Sequence, residues 1–289
     1  MSFKTESWAV YCKAHRAGKR EVHRSMRKGT DPYLRVLNGF LDDGMISDRI
    51  PLGVMDIPTD KIVGIAAEEK KELFSFDFLP LAAPDGDHAS KWCKLYWYYL
   101  SNNGVRCPIT CYEYMGRFYV IDGIKRVSIA KCHGLPTMAA SVTRIMPVRT
   151  QDKAVLHYFD CVKCYDQTGL YQIEFSRPGS FAQFQKSMGF APDYRWNEAD
   201  RLDFLFNWYN FEGAFREAFN NYLNITPADA FLVFMEEYPY DRLREMPPMV
   251  LVQLLRKSWK KLYALHNTAD LAMDAFVDPN QNHSVMTTS

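Results

Sequence analysis

Residues 116 to 134, Gly-Arg-Phe-Tyr-Val-Ile-Asp-Gly-Ile-Lys-Arg-Val-Ser-Ile-Ala-Lys-Cys-His-Gly, form a complete strand, turn and helix signature. Phe118 to Ile121 is a short run of aromatic and β-branched residues, the composition of a buried strand. Asp122-Gly123 breaks it. From Ile124 to His133 the apolar groups Ile124, Val127, Ala130 and the stem of Lys131 recur at helical spacing. Gly134 stands where a helix C′ residue takes the left-handed conformation, with Pro136 just beyond. The first helical turn carries Lys125 and Arg126 beside backbone N–H groups that lack intrahelical acceptors, at the positive end of the helix dipole. That combination favours an anion, most naturally a phosphate. A plain strand-to-helix turn with two solvated cations fits the same residues equally well.

Around this unit stand Ile57-Pro58-Thr59-Asp60-Lys61-Ile62-Val63, then a helical stretch with Trp92, Leu95, Tyr96 and Tyr99 on one side. Gly104-Val105-Arg106-Cys107-Pro108-Ile109-Thr110-Cys111-Tyr112-Glu113 follows, and Thr137 to Ile145 comes after the central unit. This order resembles the ParB/sulfiredoxin-like domain: an Ile-Pro-x-x-x-Ile strand, a helix ending in glycine, a Pro-Ile strand, and a hairpin into a Gly-x-x-Arg helix. Residues 52 to 147 carry the likeness. More loosely, nearly the whole chain resembles ParB-like segments that some Gram-positive bacteria fuse to substrate-binding lipoproteins, although no receptor domain is recognisable in these 289 residues. The implied fold class is α+β, with a small mixed sheet and packed helices. Residues 1 to 147 would form that domain with an N-terminal helical extension, 148 to 277 a mostly helical region, and 278 to 289 a disordered tail.

By the same resemblance Arg126 holds phosphate, Gly123 allows close backbone approach, and Asp122 positions a hydroxyl or metal. Lys125 and Ser128 join that phosphate site, with Arg106 and Lys61 as outer contacts. The nucleotide implied is CTP, as in ParB proteins, or ATP with magnesium, as in the related free-serine kinases with their Asp-Gly-x-x-Arg turn. The chain also departs from each relative. Ile124 stands where sulfiredoxins need cysteine, which argues against peroxiredoxin repair. Gly-Ile-Lys-Arg replaces the Gly-Glu-Arg-Arg usual in ParB proteins, and the kinases carry histidines where Ile124 and Lys125 stand. No helix-turn-helix pattern follows the first domain. The leading expectation is a nucleotide-binding regulatory protein with its helical half as a dimer or partner surface. A small-molecule kinase or nucleotide hydrolase, using Asp122, Glu68 or Glu69, is the first alternative, because phosphoryl transfer rests mostly on positioning and charge stabilisation.

Bulk properties narrow the field further. A hydrophobic fraction of 47% and a charged fraction of 24% are ordinary for a globular protein. A formal charge of +1 argues against an overall electrostatic grip on nucleic acid but leaves room for a local basic patch. Such a patch lies in residues 5 to 28, a predicted helix with a partial apolar stripe of Trp8, Tyr11, Ala14 (or Cys12) and Val22, made basic by Lys13, Arg16, Lys19, Arg20, Arg24, Arg27 and Lys28. A solvated face is the preferred reading there, and DNA binding is the second alternative function. The seven scattered cysteines show no disulfide framework, and the first residues lack the apolar core of a signal peptide. No run approaches the length of a membrane span. A reducing cytoplasm is therefore the expected compartment.

Along the remainder, Asp31-Pro32 predicts a short helix with Leu34, Val36, Leu37 and Leu41 inward. Ile50 to Ile65 reads as strand, Ala66 to Leu73 as a solvated segment, and 88 to 102 as a helix ended by Asn103-Gly104. Pro147 to Gln151 is the expected hinge. Ala154 to Tyr165 is amphipathic, Leu170 to Phe175 alternates like a strand, and Gly179-Ser180 opens a short helix ending near Gly189. Asn197 caps a long helix whose Phe204, Trp208, Phe211, Phe215, Phe219 and Tyr222 form a core stripe. Thr226-Pro227-Ala228-Asp229 starts another helix, and Pro247-Pro248 introduces a last one from Met249 to Leu265. His88 reads as a capping or surface residue. Cys161-x-x-Cys164 lacks a second pair, so neither zinc nor a redox pair is expected. Cys107 and Cys111 are expected to be buried thiols on one strand face. No metal site is predicted.

Overall fold

The computed structural model describes residues 3–101, 107–219, 223 and 225–268. Asn103-Gly104, Arg106, Tyr222 and the tail from 278 lie outside the described residues. The chain divides into two compact units, Met1–Val148 and Arg149–Ser289. No helix among the described residues is long and apolar enough to cross a membrane.

The first unit is α+β. It opens with α1 (Phe3–Lys28) and continues through β1 (Arg35–Val36), β2 (Ile46–Pro58), β3 (Ile62–Ile65), α2 (Asp87–Ser101), β4 (Ile109–Tyr114), β5 (Arg117–Asp122), α3 (Ile124–Cys132) and β6 (Thr137–Pro147). The strands form one six-stranded mixed sheet in the order β1-β3-β5-β4-β6-β2. β4 and β5 are an antiparallel hairpin turned by Met115 and Gly116, with φ of 51° and 74°. Two successive left-handed residues match the right-handed twist of the strands they join. β3 runs parallel to β5, and β6 parallel to β4, so the hairpin occupies the middle of the sheet.

Side-chain alternation assigns the two faces. Phe118 and Val120 on β5, Ile109 and Cys111 on β4, and Ala140 and Val142 on β6 are all buried. On the opposite face Tyr119 and Ile145 pack with Leu37, joined by partly buried Phe40 and Tyr112. α1 and α2 meet through Tyr11, Ala89, Trp92 and Tyr96, where Ile129 of α3 also packs. Trp92 stacks on Tyr96 with ring centroids 5.3 Å apart, and Tyr11 meets Trp92 edge-on at 5.4 Å.

Three expectations in this unit are corrected. Asp31-Pro32 opens no α-helix: residues 35 and 36 pair with β3, and Leu37–Gly39 is a single 3₁₀ turn. Leu34 and Leu37 are buried nonetheless, Leu34 from the segment just before β1 and Leu37 from the 3₁₀ turn. Trp8 does not face in but is 53% exposed. Ile121, assigned to the buried run, is 44% exposed at the end of β5.

The second unit is helical among the described residues: α4 (Lys153–Thr168), α5 (Ser180–Ser187), α6 (Glu198–Phe219), α7 (Pro227–Glu237), α8 (Tyr240–Arg244), α9 (Pro248–Lys257) and α10 (Trp259–Thr268). Its core is an aromatic lattice in which Phe184, Phe204, Phe211 and Phe231 are almost fully buried. Phe211 meets Phe231 edge-on at 4.9 Å, and Phe184 meets Phe204 edge-on at 5.4 Å, the arrangement ring quadrupoles favour. Asn197 and Asp200 cap α6 reciprocally: Asp200 N donates to Asn197 Oδ1 at 3.0 Å, and Asn197 N to Asp200 Oδ2 at 2.9 Å. Thr226 Oγ1 accepts from Asp229 N at 3.0 Å and starts α7.

Two predictions for this unit fail. Leu170 to Phe175 forms no strand, although Leu170, Ile173 and Phe175 are buried. No partner strand is available among these helices, so the alternation reflects an irregular segment packing its apolar residues inward. The last helix is two helices, because the chain breaks at Ser258 between α9 and α10.

Candidate functional site

The β5–α3 connection is the turn singled out in the sequence. Gly123 sits at its corner with φ +106° and ψ 18°, and no side chain caps the helix there. A Cβ on Gly123 would lie 2.6 Å from Ile109 Cγ2 and 2.9 Å from an Arg126 terminal nitrogen. Glycine is therefore required twice, by left-handed backbone and by lack of room. The first helical hydrogen bond runs from Val127 N to Gly123 O at 3.1 Å, so the N–H groups of the preceding turn have no acceptor within α3.

Arg126 folds back across this glycine. One terminal nitrogen donates to the Cys107 and Pro108 carbonyls at 2.9 and 2.8 Å, and the other to Asp122 Oδ2 at 2.7 Å. The Arg126 side chain is only 17% exposed, whereas Asp122 is 75% exposed. The guanidinium thus ties the start of α3 to the start of β4. Ser128, one turn on, is fully buried and accepts from Trp92 Nε1 at 3.0 Å, which places it on the inner face of α3. Lys61 is also buried, in the 3₁₀ turn Thr59–Lys61. Glu68 and Glu69 are exposed on the 3₁₀ segment Glu68–Leu73.

Lys125 takes a different direction from Arg126. Its ammonium is held below the usual lysine range by burial first, then by the charges of Lys70 and Lys91, against an opposing pull from Asp87. Lys91 and Asp87 pair at 2.7 Å within the first turn of α2. Burial, followed by the charge of Lys125, pushes His88 down to about 4, with Lys70 and Lys91 adding to the effect and Asp87 opposing it. His88 Nδ1 is buried with no hydrogen-bond partner among the described residues, and the ring lies edge-on to Phe74 at 5.2 Å. The N-terminal turns of α2 and α3 and the 3₁₀ segment Glu68–Leu73 therefore contribute three lysines and one neutral histidine that act on one another, with Asp87 among them. An arrangement of this kind attracts an anion, because cations that raise one another's energy are relieved by a negative guest.

No protein-family model matches the chain, and none of the curated proteins is measurably similar to it.

Asp122, Gly123, Lys125 and Arg126, singled out in the sequence, lie on the β5–α3 turn. Sequence reasoning missed Lys70, Lys91 and His88. No spacing rule links residues 70, 91 and 125, which come from three separate elements. Elsewhere, Cys111 is buried, with its thiol pushed up to about 12 by burial and by the charge of Glu113, whereas Cys107 is exposed and precedes the strand. Cys161 Sγ lies 3.6 Å from His157 Nε2, but that nitrogen is also 2.8 Å from the Phe175 carbonyl. A carbonyl only accepts, so Nε2 carries a proton and cannot draw one from the thiol. Among the described residues no group of three or more His, Cys, Asp or Glu is placed to hold a metal.

Proposed function

We propose that the protein is a nucleotide-binding regulatory protein of the ParB-like class, with phosphates received at the first turn of α3. The observation that carries this reading is the Lys125 ammonium, held below its usual range by burial and then by the charges of Lys70 and Lys91, beside the uncapped N–H groups that follow Gly123. Lys125 is the primary phosphate ligand in this scheme. Lys70 and Lys91 flank it, and Arg126 holds the turn in shape. Exposed Asp122 is the group that would position a metal-bound or hydroxyl-bearing partner, which keeps a small-molecule kinase on the same fold as the second reading. The mixed sheet with its central hairpin and Gly-turn helix is what supports assignment to the ParB/sulfiredoxin-like fold. A partner surface on the second unit is supported by Leu202, Phe206 and Tyr209, which recur at helical spacing on α6 and are 62%, 70% and 43% exposed.

The test is a thermal-shift panel of CTP, ATP, ADP and GTP, with and without magnesium, on the wild type and on Lys125→Ala and Lys70→Ala. A ligand at a hundred times its Kd adds about 2.7 kcal/mol, which in a chain of this length raises Tm by about 4–5 °C. A shift with one nucleotide that is lost in Lys125→Ala supports the site. Unshifted melting with every nucleotide overturns it.

A further inference from the structure

The six-stranded sheet ends differently on its two sides. One edge is β1, which is two residues long, and the other is β2, which is thirteen. β2 pairs with β6 along one side. Among the described residues, the backbone on its other side bonds to no further segment. Residues 47–51, 53, 54 and 56 are exposed, with Val54 at 67% and Ile50 at 37%. An open strand edge of this length is a template for another strand, and folded proteins otherwise cover or blunt it.

β2 is blunted at its middle. The register slips between Pro51 and Gly53, which makes Leu52 the extra residue of a bulge, and Gly53 takes φ +79°. Pro51 has no N–H to give to a neighbouring strand. The bulge also decides which side chains share a face. Arg49 and Asp56 are seven residues apart, and on a regular strand they would point to opposite faces. Here Arg49 stands opposite Ile145 and Asp56 opposite Ala139, six residues apart on β6. Both therefore lie on one face, together with Pro51 and Val54, whereas Asp48, Ile50 and Met55 lie on the other.

This arrangement makes the strand complementary to itself. Two copies related by a two-fold axis would pair their β2 edges antiparallel, and residues set opposite one another must share a face. The charged residues of β2 are Asp48, Arg49 and Asp56. An axis centred on any one of them sets like charges together, and Asp48 and Arg49 lie on opposite faces. An axis between Leu52 and Gly53 sets Arg49 opposite Asp56 of the second copy, and by symmetry does so twice. The same register puts Ile50 opposite Met55 and Pro51 opposite Val54, each pair on one face. Arg49 already meets Asp43 at 2.9 Å, but the two side chains are 51% and 92% exposed, so much of the guanidinium still faces water.

We propose that the protein self-associates edge to edge through β2, with short ladders of 48–50 against 55–57 on either side of the bulge. Two six-stranded sheets then continue as one. With about six paired residues per copy the interface is at the low end of specific contacts, so the dimer is weak and reversible. It is independent of the α3 turn and of the exposed face of α6.

The experiment is sedimentation velocity of the full chain at low salt, over concentrations from about 1 μM to about 1 mM. The wild type should pass from monomer to dimer across this series, and added salt should weaken the dimer. Arg49→Asp sets acids opposite one another at both symmetry-related positions and should raise the dimer Kd by about tenfold or more. Asp56→Arg should do the same with two cations. The combined variant Arg49→Asp, Asp56→Arg exchanges the charges and should restore the dimer. Phe206→Glu on α6 should leave it unchanged. All these variants alter exposed side chains, and a circular-dichroism melt matching the wild type verifies their folding. A chain that stays monomeric throughout overturns the proposal. So does association that ignores either single reversal, that the combined variant fails to restore, or that Phe206→Glu abolishes.

Discussion

The Arg126 guanidinium closes onto the Asp122 carboxylate at 2.7 Å, four residues back across the left-handed corner at Gly123. The same guanidinium holds the Cys107 and Pro108 carbonyls, so one side chain fastens three pieces of backbone. Arg126→Ala should therefore cost about 1–3 kcal/mol, the penalty for stranding partly buried acceptors. Arg126→Lys should recover less than half of it, since a single ammonium cannot span the same fork. Urea unfolding, with hydrogen exchange at the start of β4 to localise the effect, checks this. Unchanged protection there would mean that the tie is not formed in solution. A loss of nucleotide binding in Arg126→Ala alone would thus report on the fold of the turn, and for that reason Lys125 is the informative substitution.

Two glycines at the ends of α3 should behave differently. Gly134, at φ +65°, has open space where a Cβ would go, whereas Gly123 has Ile109 and Arg126 against it. Gly134→Ala should cost about 1 kcal/mol, for left-handed backbone alone. Gly123→Ala adds overpacking to that strain and should exceed it by about 1–3 kcal/mol. Equal losses in a pair of denaturation curves would contradict the packing described.

Glu113 and Arg144 pair at 2.7 Å with side chains 0% and 2% exposed, directly across the parallel β4–β6 ladder. Glu113 Oε1 also accepts from Gly116 N at 2.8 Å in the hairpin turn. Glu113→Ala leaves a buried cation without its counter-charge and should destabilise by about 3–5 kcal/mol. The double variant Glu113→Gln, Arg144→Met should be milder than the sum of its parts. Exchange of the β4 and β6 amides is the readout, because it isolates this sheet from the helical unit. Strict additivity would argue that the two side chains do not depend on each other.

His88 supplies a pH signature. Its folded pKa is about 4 against an ordinary 6.5. Between those values the unfolded chain binds a proton that the folded protein refuses, so stability rises with pH across that window. The contribution is complete above pH 6.5 and is lost as pH falls toward 4. With partial exposure discounted, its size is about 1–3 kcal/mol. His88→Leu should flatten the pH dependence of the urea midpoint over this range. In the wild type, inorganic phosphate bound beside Lys125 should raise the His88 pKa, followed by the ring proton shifts in NMR. A pKa that does not move with saturating phosphate would separate His88 from the anion cluster.

The sequence by itself determined the local units whose signals are covalently adjacent. The Phe118–Asp122 strand, the Gly123 corner, the Gly134 stop, the Asn197–Asp200 cap and the aromatic stripe of α6 each depend on residues within a few positions of one another. Backbone sterics and 3.6-residue periodicity read such patterns directly. Tertiary structure alone decided which faces those units present and to whom. Ser128 looks like a ligand on the helix it occupies, yet Trp92 from another helix claims its hydroxyl. Arg126 looks free to hold phosphate, yet the carbonyls of residues 107 and 108 take its donors. Leu170 to Phe175 alternates like a strand but has no strand to pair with. Lys70 and Lys91 carry no local mark that they meet Lys125. Each of these outcomes depends on a partner far away in sequence, because burial and hydrogen bonding are satisfied in space.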